Sequence, residues 1–426
     1  MRTLPFPKPA IGLLFLVALL FFLFRGPYRA VRSITPRDFA LVYTAARCWM
    51  KGDNPYDPSN LSHEFLYVAK GPPALVPEPK SHPSVYAPMA MPLIAALAWL
   101  PWAKANLLWC LLSTALFAMS LLLIFRSTDL SIDGKWLLAS VLVAFSPTHT
   151  GLAMGNPSMI VCSSIALAIY FALVKRWLLS GILLGVAHCL KPQLSICALA
   201  VLGIWKYWSP VLISLLVPVV STGMSVITAP SLSQYWQWCL KLQQNITGSF
   251  ALGGTNNPSA GQEGSFILLN SQAIVGLFTP NLLLNDAIVW IMGGMIVALY
   301  FGFKTKDHHV SRWRDLAFFS ALTIAITYHR YYDAQLLLLL IPFMLESWHA
   351  YTAIVIALGA CLLLLAFPSQ ATFAVWRGSG QPSSVLGLVL FRHQPLAVLA
   401  MSLLLIPWPV KSWPASLLTH RSTAMN

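Results

Sequence analysis

Long apolar segments, separated by short polar ones, run through almost the entire chain. They fall at 9–24, 87–100, 105–125, 136–147, 157–174, 178–190, 193–205, 209–228, 282–303, 316–328, 334–345, 350–367 and 385–409. A helix needs about 20 residues to cross a hydrocarbon core of about 30 Å, so the longer segments predict transmembrane helices. We therefore expect an all-α membrane protein: one polytopic bundle over residues 1–426, with about 10–13 transmembrane or re-entrant helices.

Three pairs of apolar segments form predicted hairpins with polar tips. The pairs are 136–147/157–174, 178–190/193–205 and 316–328/334–345. The members of the second pair reach only about 20 Å each at 1.5 Å per residue, so its tip at Lys191 should stop inside the bilayer. Polar groups at that depth are tolerated where they line a water-filled cavity. The hairpins thus predict an outward-facing cavity sunk into the membrane.

A shorter amphipathic pattern follows the first apolar segment. Apolar side chains recur at helical spacing within 38–51, and Gly52 is a typical helix stop. The opposite face carries Thr44, Arg47 and Lys51. A helix of about 21 Å with a polar face is expected to lie along the outer membrane interface. Asp38 then lies in its first turn, where a carboxylate also complements the helix dipole.

Composition and charge set the class and the orientation. The chain is 57% hydrophobic and 9% charged, with a net charge of +14. Placing the N-terminus in the cytoplasm puts most Lys and Arg on cytoplasmic connections once the long 25–86 segment is left out. The segments 25–86 and 229–281 then become two large outer loops. We ascribe the positive charge to orientation and anionic lipid headgroups, because no nucleic-acid-binding signature is present.

Few carboxylates are available on the predicted outer side. They are Asp38, Asp53, Asp57, Glu64, Glu78, Glu263 and Asp333. Two lie in the turn-forming GDNPYDP, and two follow in a proline-broken segment where they are expected to be solvated. One more belongs to a Gly/Asn/Ser-rich segment that is interpreted as a mobile loop, and Asp333 is expected to pair with Arg330. Asp38 remains as the candidate base, with complementation of the helix dipole as its alternative role.

Several segments together resemble a known family. RDFALVYTAARCWMKGDNPYDP (37–58) resembles the first-loop signature of glycosyltransferase family 87, the polyprenol-phosphate-mannose-dependent α-mannosyltransferase-like membrane enzymes. Further matches follow in order: VYAPMAMPLIAALAWLP (85–101), GNPSMIVCSSIALAI (155–169), SGILLGVAHCLKPQ (180–193) and ITYHRYYD (326–333). Asn156-Pro157 stands where the family has Gln-x-Asn, and Pro192 follows Lys191 more closely than the family spacing.

The resemblance implies a GT-C fold in which a lipid-linked sugar donor enters from the bilayer. A sugar leaving a polyprenyl phosphate needs cations and one base, but no general acid, because the departing phosphate is a stable anion. Asp38 is the expected base of an inverting transfer. The expected phosphate partners are Lys191, His329 and Arg330. The candidate sugar or acceptor contacts are Tyr43, Tyr56, Tyr86 and Asn156.

The expected function is transfer of a hexose, mannose by the resemblance, from a polyprenyl-phosphate donor to a lipid or glycan acceptor at the outer face of the plasma (inner) membrane. Neither a cofactor nor a metal is expected, since no D-x-D motif occurs. Two rivals stay open: a transporter or flippase of a lipid-linked saccharide, and an O-antigen ligase or polymerase. Two residues have alternative structural roles. The side chain of Lys191 could snorkel to the surface, and His329 could be a buried imidazole whose hydrogen bonds are all satisfied.

Overall fold

The computed structural model describes residues 8–32, 37–69, 83–126, 130–251, 253–259, 266–304, 311–367 and 385–408. Within these ranges the chain is helical apart from short connections. The one β-type pairing there is an isolated antiparallel bridge between Leu268 and Arg330. The predicted all-α class is confirmed.

Helices of very different lengths follow one another along the chain. The first half holds α1 Lys8–Leu23, a π-helical turn Phe24–Tyr28, α2 Arg29–Arg32, α3 Arg37–Met50, α4 Pro58–Ala69, a 3-10 turn Pro88–Ala90, α5 Met91–Ala98, α6 Trp102–Arg126, α7 Ile132–Ala144, α8 Ser146–Met154, α9 Ser158–Leu173 and α10 Trp177–Leu190. The second half holds α11 Pro192–Ile204, α12 Trp208–Thr228, α13 Leu232–Phe250, α14 Gln272–Val275, α15 Leu282–Lys304, α16 Arg312–Ile326, a 3-10 helix Tyr331–Leu340, α17 Ile341–Ser347, α18 Thr352–Ala366 and α19 Val385–Leu404.

Several of these helices have the length and composition of membrane spans. Four qualify among the described residues, or up to five if the pair α7 and α8, bent by 47°, is one span. The four are Pro9–Arg32, α6, α12 and α15, and shorter apolar helices lie among them. The chain is therefore a polytopic membrane protein. The helix that contains the first apolar segment continues beyond residue 24 through a π-helical turn to Arg32.

The helices have two distinct ends. At one end, Asp315 accepts a hydrogen bond from Trp205 Nε1 at 3.1 Å and pairs with Lys304 at 2.5 Å, which brings basic connections together. At the other end, Asn245 Nδ2 donates to the carbonyl of Tyr56 at 2.9 Å. The second contact joins the two predicted outer loops, so both lie at the same end of the bundle.

Close helix packing positions the end of α10. A Cβ atom at Gly181 would lie 2.5 Å from Cβ of Ile213, and one at Gly185 would lie 2.6 Å from Cβ of Val217. Only glycine permits this approach between α10 and α12, as in other membrane helix pairs with small residues four apart. The contact fixes α10 laterally, and with it the residue that follows its last turn.

The amphipathic helix α3, Arg37–Met50, agrees with the predicted stretch to within one residue at each end. The ring of Phe39 stacks on Trp102 and Trp109 at centroid distances of 5.5 and 4.6 Å. Thr44, on the predicted polar face, is 1% exposed and donates to the carbonyl of Ala40 at 2.5 Å. Neighbouring helices therefore cover part of the polar face, while the side chain of Lys51 at its end is 48% exposed. The position of α3 along the membrane interface stays a prediction.

The carboxylate of Glu64 covers part of that polar face. Glu64 is 2% exposed and pairs with Arg47 and Lys51, so the prediction that it is solvated is wrong. Burial raises the pKa of the Glu64 carboxyl, but hydrogen bonds and charge from these two cations bring it below its ordinary value. The predicted turn role of Asp57 is confirmed, since its Oδ1 accepts from the backbone N–H of Ser59 at 2.7 Å. The acidic residues 78 and 263 lie outside the described residues.

Candidate active site

The helix is interrupted at Lys191, which places a cation at the end of α10. Because the residue before a proline disfavours helical backbone, Lys191 adopts φ −148° and ψ 83° while Pro192 starts α11. Its side chain is 9% exposed, and Nζ lies 4.9 Å from the ring centroid of Tyr332. The predicted hairpin tip therefore exists, and its lysine points into protein.

A second break follows α8. Gly155 adopts φ +66°, a left-handed conformation that favours glycine, and ends the helix. Asn156 then accepts a hydrogen bond on Oδ1 from the backbone N–H of Ser158 at 3.0 Å, which forms an Asx turn before α9. The tip predicted as a polar loop thus contains the short helix α8, followed by a tight turn.

The third break separates α16 from the following 3-10 helix. His329 is fully buried; its Nε2 lies 2.7 Å from Thr327 Oγ1, and its Nδ1 lies 3.2 Å from Asp333 Oδ2. The carbonyl of His329 accepts from the backbone N–H of Leu269 at 2.9 Å, so the second large loop braces this segment. His329 has the geometry of a satisfied buried imidazole.

Asp333 contacts residues at all three helix breaks. Its Oδ1 lies 2.7 Å from Lys191 Nζ and also contacts the hydroxyl of Ser158, which accepts from Lys191 at 2.8 Å. The predicted ion pair between Asp333 and Arg330 is wrong, because Arg330 offers this carboxylate only its backbone N–H, at 3.1 Å. Burial alone raises the pKa of the Asp333 carboxyl, but Lys191 and His329 hold it below its usual range.

Asn156 extends this network to Asp38. Its Nδ2 donates to Asp38 Oδ2 at 2.6 Å, while its Oδ1 also contacts the hydroxyl of Ser158 at 2.5 Å. Because Ser158 takes the amide oxygen, the amide nitrogen has to face Asp38. No hydrogen bond is found to the other carboxylate oxygen, Oδ1, within the parts of the chain that the structure describes. One oxygen of Asp38 is therefore held in place, and the other has no hydrogen-bond partner among the described residues.

Polar and aromatic groups lie near Asp38, and we call the partly exposed surface that they share with it the recess. Tyr86, Tyr328, Arg330 and Tyr332 all lie within electrostatic range of its carboxylate. Each of these side chains is partly exposed. Accessible polar and aromatic groups close to a carboxylate are the kind of groups that orient a ligand in a binding site.

Arg330 is the basic group of this recess. Its Nε donates to the hydroxyl of Tyr328 at 2.6 Å, and its Nη2 to Asn256 Oδ1 at 2.5 Å. No carboxylate lies within 4.0 Å of its guanidinium among the described residues. An enclosed guanidinium without a carboxylate partner is suited to bind an anionic ligand.

Asn256 is a residue of the recess that the sequence did not predict. Its segment was expected to be a mobile loop, but Asn256 is 6% exposed and anchors both Arg330 and Tyr328. A signal for this turn was present in the sequence, because Asn-Pro-Ser occurs at 156–158 and again at 257–259. Each copy forms the same turn, with the Asn side chain accepting from the Ser backbone N–H.

The other predicted sugar contacts are placed differently from one another. Tyr43 is 1% exposed, and its hydroxyl donates to the carbonyl of Leu100 at 2.6 Å. Tyr56 is fully buried. Neither has exposed surface through which it could touch a sugar in this conformation, whereas Tyr86 belongs to the recess. In the described part of the chain, no cluster of three or more His, Cys, Asp or Glu side chains has the arrangement of a metal site.

Comparison with known proteins places the chain in a family. The sequence model of glycosyltransferase family 87 matches residues 85–327, more than half of the 426 residues. The match includes Tyr86, Asn156 and Lys191; Asp38 and Arg330 lie outside it. No curated protein and no solved structure matches the chain. Because this match covers more than half of a polytopic helical chain, the chain belongs to glycosyltransferase family 87.

Proposed function

We propose that this membrane glycosyltransferase moves a hexose, mannose in the first instance, from a polyprenyl phosphate to a lipid or glycan acceptor. Asp38 is the general base that takes the proton of the acceptor hydroxyl. The phosphate leaves as an anion, so no general acid is required. Direct attack by the acceptor then inverts the anomeric centre.

The observation that carries the proposal is the way in which Asp38 is held. Asn156 binds one carboxylate oxygen, no described residue hydrogen-bonds the other, and the guanidinium of Arg330 lies within electrostatic range of the carboxylate. A base and an anion-binding group on the same recess are the two elements that transfer from a phosphate requires. A transporter has no need for a carboxylate that is oriented in this way.

The expected phosphate partners divide into two groups. Arg330 has no carboxylate partner within 4.0 Å among the described residues, and we propose that it binds the donor phosphate directly. Lys191 is already paired with Asp333, and His329 has both ring nitrogens occupied. We propose that these two residues act as positioning residues: they tie the helix breaks together and thereby keep Asn156 against Asp38.

We also propose that the end of the bundle holding the recess faces the exterior or periplasm, in the plasma (inner) membrane, with the N-terminus in the cytoplasm. Both large loops lie at this end, and the basic connections around Lys206 and Lys304 lie at the other. Labelling of single cysteines tests the orientation. Outside-only labelling at position 206 would contradict it.

The substitution Asp38→Asn tests the proposed base. The amide keeps the shape of the side chain but cannot accept the proton, so turnover should fall by about 10²–10⁴ while the donor still binds. The measurement is the rate of sugar transfer in reconstituted membranes with a polyprenyl-phosphate hexose, together with a thermal-unfolding control.

Asp53→Asn is the matched control, because Asp53 is an exposed acid of the same loop. It should leave the rate of transfer unchanged. If Asp38→Asn retained near-normal turnover, the carboxylate would only complement the helix dipole, which is worth about 0.3–1 kcal/mol, and the mechanism would fail.

A further inference from the structure

Helix α13 has an apolar face that the rest of the described protein leaves uncovered. Leu232, Trp236 and Leu240 recur every four residues, and their exposed fractions are 73%, 63% and 42%. Residues four apart lie on one face of a helix, so these three side chains form a stripe. Three large apolar groups side by side at a surface indicate a partner other than water.

The opposite sides of α13 are different. Trp238 and Asn245 are buried against the protein, and Gln237 and Gln244 are exposed on a third face. A helix that lies in a membrane interface typically has this pattern: one edge contacts protein, one face is polar and exposed, and one apolar face is not covered by protein. Tryptophan is enriched at that depth because its ring is amphipathic.

The chain places α13 at the membrane surface. Helix α12, Trp208–Thr228, is a candidate span, and at about 31 Å it matches the hydrocarbon thickness. Only residues 229–231 separate it from α13, so Leu232 lies within about 14 Å of the end of α12. The apolar stripe is closest to α12, and the exposed face turns polar further along, at Gln243 and Thr247.

We propose that α13 docks on the lipid surface, with Leu232, Trp236 and Leu240 inserted into the leaflet at the end of the bundle that holds the recess. The occupant of the face is lipid. Helix α13 has no acidic residue and a single charge, Lys241, so nothing on it repels phospholipid headgroups.

This docking bears on the recess because the far end of α13 reaches Arg330. Ser249, in the last turn of α13, accepts a hydrogen bond from Asn256 Nδ2 at 3.1 Å, and Asn256 in turn accepts from Arg330. The ring of Phe250 packs edge-on against Tyr328 at 5.1 Å. The depth of α13 in the leaflet therefore sets the height of the guanidinium above the bilayer. This consequence rests on the proposed function; the docking itself does not.

Spin-label accessibility tests the docking without an activity assay. Trp236→Cys and Leu240→Cys report the apolar stripe, and Gln237→Cys and Gln244→Cys report the polar face. All four are made in a Cys239→Ser background, because Cys239 is the one native cysteine that is not buried. In nanodiscs of phosphatidylethanolamine and phosphatidylglycerol, the first two labels should collide mainly with oxygen and the other two mainly with a water-soluble nickel chelate.

Two outcomes would overturn the proposal. Nickel collisions at all four positions would place α13 in water. Labels at 236 and 240 that are shielded from both reagents would show that protein, such as a second copy, covers the stripe. The double variant Trp236→Gln/Leu240→Gln tests the link to Arg330: it should raise the KM for the donor and leave kcat unchanged, with Gln237→Ala/Gln244→Ala as control. An unchanged KM would remove the link and leave the docking intact.

Discussion

Helices α3 and α13 are both amphipathic in sequence, both lie at the end of the bundle that holds the recess, and yet they have opposite surroundings. In α3 even the polar side chains find protein partners: Thr44 is buried, and Arg47 pairs with Glu64. In α13 the apolar side chains remain uncovered, with Trp236 63% exposed. The same periodic pattern thus produced a core helix in one loop and a surface helix in the other.

The difference lies in the neighbours. Helix α4 follows α3 after a short turn and supplies Glu64, while α6 covers the other side with Trp102 and Trp109. Helix α13 meets protein along one edge, through Trp238 and Asn245. An amphipathic pattern therefore predicts that a helix has two kinds of face, but what covers each face depends on segments elsewhere in the chain.

Matched Trp→Ala substitutions give the largest expected contrast. Trp49 of α3 is 7% exposed, so Trp49→Ala should lower the free energy of unfolding by about 3–5 kcal/mol. Trp236→Ala on α13 should change it by less than about 0.5 kcal/mol in detergent, because the side chain buries little surface within the protein. Thermal unfolding of both variants in detergent measures the contrast. Equal losses would show that α13 is packed against protein.

Arg330→Gln separates the roles of the two helices in the reaction. Asp38 begins α3 and is proposed to act in catalysis, whereas Arg330 is held from the α13 side and is proposed to bind phosphate. Losing a charged hydrogen bond of about 1.5–3 kcal/mol should raise the KM for the donor about 10- to 150-fold, with kcat less affected. Steady-state kinetics against donor concentration give the split. A fall in kcat alone would argue against direct binding of the phosphate.

Glu64→Gln tests the polar face of α3. The change removes the anion shared by Arg47 and Lys51 and should cost about 1–2 kcal/mol at neutral pH, since one of the two cations is half exposed. The folded protein holds the pKa of Glu64 below its ordinary value. Its stabilising effect is therefore complete above that ordinary value and is lost as the pH falls through the lowered one. Unfolding curves of wild type and variant should converge in acid, with the exposed Glu346→Gln as control.

Lys51→Ala gives the smallest expected effect. The side chain of Lys51 is 48% exposed, so its ion pair with Glu64 should contribute about 0.2–1 kcal/mol. The matched change on α13 is Lys241→Ala, which has no ion pair among the described residues and should have no measurable effect on thermal unfolding. A larger loss in Lys241→Ala than in Lys51→Ala would reverse the comparison.

Much of the site could be predicted because local chemistry decides where helices break. Pro192 forces the break at Lys191, and Gly155 with Pro157 forces the one at Asn156. Each break leaves polar groups in an otherwise apolar stretch. These polar groups at the hairpin tips are the feature from which an outward-facing cavity is predicted. The limits of α3 followed in the same way from its apolar spacing and from Gly52.

The class of the protein, the positions of its helix breaks and the polar residues at those breaks could all be predicted from composition and local patterns along the chain. The side-chain pairings depend on how the helices pack: Asp38 contacts Asn156, 118 residues away, and Lys191 contacts Asp333, 142 residues away. Local propensity cannot encode such partners, because a buried charge is stable only beside whichever group the packing of distant helices brings to it. For the same reason α3 is buried and α13 lies at the surface.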